Sequence, residues 1–333
     1  MKLKVLKYLV FAIICCTTVE AAYALKDGKL VNAKNLATLP AIDHYNAGVE
    51  AFKNQDWEEA VRQFGIVSDA YPNSPYAQDS LYYMAVAEYN QDEFEFANEA
   101  INTYLKSKNN PKYFQDAIEY KFTIAQKLGE GSKRRLFGYR KLPKWSCGKS
   151  LSLQIYDEVV AALPCHDLAA RALYEKGNLQ WELGDYRASV DAFQMLIKRF
   201  PKHELAPESY VLISQVYVEQ SEYEFQNPDV LSFAQINLRR FKQDFPREER
   251  LAQAESDLLS IKEVYARGLY NTGQFYERTG KPRAAVIYYQ NAIRQFPETA
   301  IANQSRQRLK ALNPNALEFV EPANPPSPPK ETK

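Results

Sequence analysis

Apolar and small residues recur at helical spacing along most of this chain, and the helical segments come in pairs joined by glycine- or proline-marked turns. The clearest pair is residues 267–297, RGLYNTGQFYERTGKPRAAVIYYQNAIRQFP. Its rhythm is small, aromatic, turn glycine, small, aromatic, small, closing proline, at Gly273, Tyr276, Gly280, Ala285, Tyr289, Ala292 and Pro297. Two antiparallel helices approach closely only where one side is small. Gly273 and Ala285 are therefore expected to face each other, with Tyr276 and Tyr289 filling the volume beside them. Gly280 turns the chain, and Pro297 ends the second helix because it has no N–H to continue it. The rhythm returns at Gly48, Ala60, Phe64 and Pro72, and at Gly177, Gly184, Phe193 and Pro201. Weaker copies centre on Ala85 and Ala97, on Tyr156 and Pro164, and on Ala234 and Pro246, making six in all. No alternating run of β-branched residues predicts a sheet.

Spaced copies of one helical pair resemble tetratricopeptide repeats (TPRs), each of which buries a core only by stacking on its neighbours. The predicted fold is all-α, a TPR-type α-solenoid of five to six helical hairpins over residues 41–312, with helices of about 12–15 residues. Residues 25–40 lack helical periodicity and read as a flexible lead. Residues 313–333 carry Pro314, Pro322, Pro325, Pro326, Pro328 and Pro329, which predicts a disordered tail. Two insertions interrupt the repeats. Residues 129–149 hold Lys133, Arg134, Arg135, Arg140, Lys141, Lys144 and Lys149 against the single acid Glu130, with Leu136, Phe137, Tyr139 and Trp145 between them. Such a segment suits anionic lipid or an acidic partner, or is a solvated loop whose aromatics pack on the neighbouring hairpin. The second insertion, residues 222–229, is acidic and aromatic and reads as a lengthened hairpin turn.

The first 24 residues read as an export signal. Lys2, Lys4 and Lys7 precede an apolar run from Tyr8 to Cys16 that is too short to span a bilayer, and Ala22-Tyr23-Ala24 offers a small-x-small cleavage site. A competing route is lipidation at Cys16, at the end of the apolar run, where a lipoprotein signal places its acylated cysteine. Without Lys2, Lys4, Lys7 and Glu20 the chain carries 39 basic and 40 acidic residues. That balance gives no electrostatic footprint for nucleic acid. The remaining cysteines, Cys147 and Cys165, would sit in an oxidising compartment, either paired as a disulfide or as free thiols.

A search for chemistry returns none. His44, His166 and His203 lie far apart without metal-ligand spacing. No G-x-S-x-G elbow is present, and Gly148-Lys149-Ser150 lacks the earlier glycine of a phosphate loop, with Pro143 in its place. Acidic pairs such as Glu58-Glu59 and Glu248-Glu249 read as solvated faces. No enzyme activity, cofactor or metal is predicted. What remains is the inner surface that first helices of stacked repeats would line. By register it presents Tyr45, Val49 and Phe52, then Tyr82, Val86 and Tyr89, and later Arg171, Tyr174, Asn178 and Trp181. An aromatic groove favours an extended peptide, and Arg171 could pair a carboxylate in bidentate fashion. The competing reading is that these aromatics complete the core between adjacent repeats.

Two segments resemble one family. The repeats around Tyr71-Pro72-Asn73-Ser74-Pro75-Tyr76-Ala77, and the closing unit with its Tyr-Glu-Arg-x-Gly turn from Tyr276 to Gly280, look like the BamD family, the TPR component of the outer-membrane β-barrel assembly machinery. The likeness covers most of residues 42–312 and is strongest at the two ends. It implies a non-enzymatic scaffold in the periplasm, associated with the outer membrane. Its partners would be client outer-membrane proteins and a barrel subunit, the latter met by a surface that includes Tyr276 and Arg278. Membrane contact would come through a lipid anchor or through the basic insertion. The alternative is another periplasmic TPR adaptor, resembling the cell-division coordinator CpoB. Such adaptors usually carry an N-terminal coiled coil, and residues 25–40 show no heptads.

Overall fold

A computed structural model describes residues 23–26, 29–32, 36–107, 110–224 and 227–312; Cys16 and the proline-rich tail lie outside them. The chain divides into two compact units, Met1–Ser152 and Leu153–Lys333. The first holds β1 (Tyr23–Lys26), β2 (Lys29–Asn32), α1 (Ala41–Lys53), α2 (Trp57–Ala70), α3 (Ala77–Asn90), α4 (Phe94–Ser107), α5 (Phe114–Gly129), β3 (Lys133–Arg135) and β4 (Lys144–Cys147). Helix α6 (Lys149–Ala162) leads into the second. There follow α7 (Asp167–Glu182), α8 (Tyr186–Arg199), α9 (Leu205–Tyr223), α10 (Pro228–Asp244), α11 (Leu251–Arg278), α12 (Pro282–Gln295) and α13 (Ala300–Leu312). The thirteen described helices bear out the all-α fold of stacked hairpins.

Four hairpins share one turn. A residue with positive φ stands seven places after the small residue of each first helix: Gln55 (60°), Asp92 (56°), Gly184 (77°) and Gly280 (71°). The second helix starts at once. Asp56 and Asp185 cap it by accepting from the N–H of Glu59 and Ala188, at 3.2 Å each. Glycine takes this conformation without a Cβ clash, and Gln55 does not. Gln55→Gly should therefore raise stability by about 0.5–1 kcal/mol, the left-handed cost less the entropy glycine loses on folding. A melting temperature that stays level or falls would contradict the shared turn. The second helices end as uniformly. Tyr71, Phe200, Phe245 and Phe296 leave helical geometry at φ −128°, −128°, −134° and −134°, each just before a proline.

The close approach within hairpins is glycine against an aromatic ring. A Cβ on Gly48 would lie 2.8 Å from the Phe64 ring, on Gly177 2.6 Å from Phe193, and on Gly273 2.7 Å from Tyr289. In every case the ring belongs to the residue sixteen places further on. Gly273 thus meets Tyr289 rather than the expected Ala285, which is buried in the same cluster. The second hairpin has Ala85 and Ile101 at the corresponding places, both buried.

Three features differ from expectation. Two short antiparallel ribbons, β1–β2 and β3–β4, are present. Leu25 pairs with Leu30 and Lys26 with Lys29, so part of the segment expected as a flexible lead is paired backbone. Helices α9 and α10 run 19 and 17 residues, longer than the expected helices of about 12–15. They take in the two ends of the acidic insertion, which falls at their junction as a hairpin connection should. Helix α11 runs 28 residues without a break, since no proline lies between Pro246 and Pro282.

Candidate protein-interaction surfaces

The residues expected to line a groove mostly join one hairpin to the next. Tyr45 stacks on Tyr76 with centroids 5.1 Å apart, Phe52 meets Tyr83 edge-on at 5.6 Å, and Val49 packs in the same cluster. Tyr82 and Val86 are buried, at 9% and 7% exposure. The start of α5 covers Tyr82: Tyr82 stacks at 4.4 Å on Tyr113, the residue just before the helix, and Tyr120 of α5 meets Tyr82 at 6.4 Å and Tyr89 at 5.4 Å. Burial, then the neighbouring Tyr120 and Asp116, push the Tyr82 phenol up. In the second unit, glutamates of α9 hold the aromatics of α7 and α8. Tyr174 donates to Glu208 at 2.6 Å, while Trp181 Nε1 and the Tyr186 hydroxyl donate to Glu219 at 2.5 and 3.1 Å. Burial, then the Glu208 hydrogen bond, push Tyr174 up to about 12. Asn178 is half-buried and Arg171 is exposed. An open aromatic groove over Tyr82 and Val86 is therefore corrected. A position that faces outward in one repeat faces the first helix of the next once repeats stack.

The accessible clefts lie elsewhere. One runs along α8, α9 and α10 as two compartments of about 410 and 440 Å³ that share Gln194, Tyr217 and Phe233. Phe233 and Ile236 are 52% and 42% exposed, and Asp191, Lys198 and Arg240 stand at the rim. Burial, then Asp191, push the Tyr217 phenol up to about 12. Apolar walls with a charged rim suit an extended peptide. The sequence signal was legible in α10. Val230, Ala234, Leu238 and Phe241 fill its buried face, while Phe233 and Ile236 make a second apolar face at i, i+3. A further cleft of about 510 Å³ on α11 includes Val264, Arg267, Asn271 and Phe275. Beside it, Tyr276 stacks on Tyr288 at 5.4 Å and is partly buried, whereas Arg278 is exposed.

The basic insertion is held down by its own unit. Arg134 pairs with Glu95, Arg135 with Glu93 and Arg140 with Glu88. Lys144 reaches Glu93 at 3.4 Å and the Asp92 carbonyl at 2.8 Å. The Arg140 guanidinium sits 4.0 Å from the Phe96 ring centroid. Burial pulls the Glu93 carboxyl up, but the Arg135 hydrogen bonds and Lys144 outweigh it and hold it below its ordinary range. Neither a freely solvated loop nor aromatics packed on a hairpin describes this segment. Cys147 and Cys165 are free and exposed, which corrects the disulfide alternative. Each histidine has a structural partner. His44 bonds Gln63 at 2.6 Å, His166 accepts from Leu168 N–H, and His203 bonds Asp167 at 2.8 Å. No described helix is long and apolar enough to cross a membrane.

Residues 171–203 and 267–299 match the tetratricopeptide repeat family, and residues 38–121 match the family described as outer membrane lipoprotein. The chain carries tetratricopeptide repeats. The expected BamD-like resemblance is borne out over residues 38–121; the closing unit matches the general repeat. No curated protein matches the chain. Among solved structures, a MamA fragment (41-end) from Desulfovibrio magneticus RS-1 is 18% identical, with 68% of this chain and 99% of that one covered and a TM-score of 0.33. YrrB, described as a TPR protein with an unusual peptide-binding site, is 13% identical over 65% and 92%, at 0.34. PilW, a type IV pilus biogenesis factor, is 15% identical over 80% and 99%, at 0.28.

Proposed function

We propose that this chain is a non-enzymatic scaffold on the periplasmic side of the outer membrane, where it receives extended segments of client outer-membrane proteins and docks on a barrel-assembly subunit. One observation carries the reading: a segment matching the outer membrane lipoprotein family shares a chain with TPRs at residues 171–203 and 267–299. Acylation at Cys16 would tether it. The client site is the α8–α10 cleft, because Phe233 and Ile236 are open to a ligand and Tyr82 and Val86 are not. Arg278, with Phe275 beside it, fits the second-partner surface.

Photocrosslinkers at Phe233 and Arg278 test this in intact envelopes. Outer-membrane proteins are expected at Phe233 and a barrel subunit at Arg278. Adducts only with cell-division or peptidoglycan proteins would install the CpoB-like adaptor reading instead. Phe233→Ala should weaken binding of a client segment by about 2 kcal/mol or more, since a few aromatic anchors carry most of such an interface. An unchanged affinity in calorimetry would place the client elsewhere.

A further inference from the structure

The clamp on the insertion leaves its aromatics outside. Phe137, Tyr139 and Trp145 are 84%, 66% and 70% exposed. Phe137 holds φ 52° and ψ 18°, a left-handed conformation that bulky residues seldom adopt. The ribbon beneath them is firmly fixed. Besides the three arginine–glutamate pairs, Arg135 donates to the Leu142 carbonyl at 2.8 Å and Leu136 N–H to the Pro143 carbonyl at 3.1 Å. The glutamates that receive the arginines are largely withdrawn from water, with Glu88 fully buried. Their charge is used inward. The segment carries seven cations against its own Glu130, and three of its arginines meet these glutamates. Lys133 and Lys141 are exposed on the same ribbon.

We propose that the ribbon of residues 133–147 is a peripheral membrane-contact element, which places Phe137, Tyr139 and Trp145 among the headgroups of an anionic bilayer. Tryptophan and tyrosine settle at that depth because their rings are amphipathic, and exposed lysine charge adds attraction to anionic lipid. Chemistry favours lipid over a protein partner. A protein hot spot is a packed apolar centre shielded by a surrounding rim. Here the aromatics alternate with cations along a narrow ribbon, which matches a surface apolar below and anionic above. Holding the rings on a fixed frame also means that little order is lost when they insert.

The test uses the exported chain carrying Cys15→Ser and Cys16→Ser, so that no acyl group is attached. Vesicles of phosphatidylethanolamine with and without phosphatidylglycerol are the probe. The chain should sediment with the phosphatidylglycerol vesicles and less so as salt rises. Phe137→Ser/Tyr139→Ser/Trp145→Ser should lower partitioning at least about tenfold while its melting temperature matches the parent. Lys133→Gln/Lys141→Gln should lower it a few-fold and flatten the salt dependence. A parent chain that ignores vesicles overturns the proposal, as does an aromatic variant that binds as well as the parent. A photocrosslinker at Tyr139 that captures protein in place of lipid would also overturn it. No client or barrel subunit enters the vesicle assay, so its failure leaves the scaffold reading standing.

Discussion

Phe193→Ala should lower the unfolding free energy by about 3–5 kcal/mol, the loss expected when a buried aromatic side chain leaves a cavity. Phe193 is fully buried, and its ring closes over Gly177 at the tightest of the three glycine approaches. The reverse change tests the same contact. Gly177→Ala would ordinarily stabilise a helix interior by about 1 kcal/mol. Here the added methyl would lie 2.6 Å from the ring, so overpacking of about 1–3 kcal/mol should reverse the sign. The double variant should then be less damaged than the sum of the two, because the alanine methyl occupies part of the space the ring vacates. Denaturant unfolding of the four proteins checks this. Strict additivity would mean that the ring and the glycine do not sense each other.

Arg140→Ala should cost about 2–3 kcal/mol at neutral pH. Removing one partner of a fully buried ion pair typically costs about 3–5 kcal/mol, but Arg140 is half exposed and solvent already screens it. Glu88 sets the pH dependence. Burial is its largest influence; it outweighs the Arg140 hydrogen bond and pushes the carboxyl above its ordinary range. The folded chain therefore binds that proton more tightly than the unfolded one. Its contribution to stability is complete below the ordinary value of about 4.3 and is lost as pH rises through the raised folded value. Without Arg140 the raised value climbs further, so the deficit of the variant should shrink on acidification. Thermal melts at about pH 7.5 and about pH 5 compare the two regimes. An equal deficit at both would show that Glu88 is not the group left stranded.

The hairpins were legible because their rules are local. A small residue, a left-handed turn, an aromatic sixteen places on and a proline all lie within one repeat, so Gly177, Gly184, Phe193 and Pro201 could be read in order. The groove was not, because whether Tyr82 faces water depends on the start of α5, which belongs to the next repeat. The insertion failed in the same way. Its cations were visible, but their partners Glu88, Glu93 and Glu95 lie some forty to fifty residues earlier. Phe233 and Ile236 needed no distant partner, and a second apolar face on α10 could have been counted.

Helix α11 has 28 residues, a rod of about 42 Å at the usual rise per residue. Its Ile261 belongs to the core with Phe193 and Val230, and its Tyr270 and Tyr276 pack on the cluster of Ala285 and Tyr289. Repeat arrays commonly fray from the end, one unit at a time. A shared rod removes the joint at which that fraying would stop. The last hairpin and the one before it should therefore open as one cooperative block, with amides of α10 and α12 exchanging their hydrogens at a common free energy.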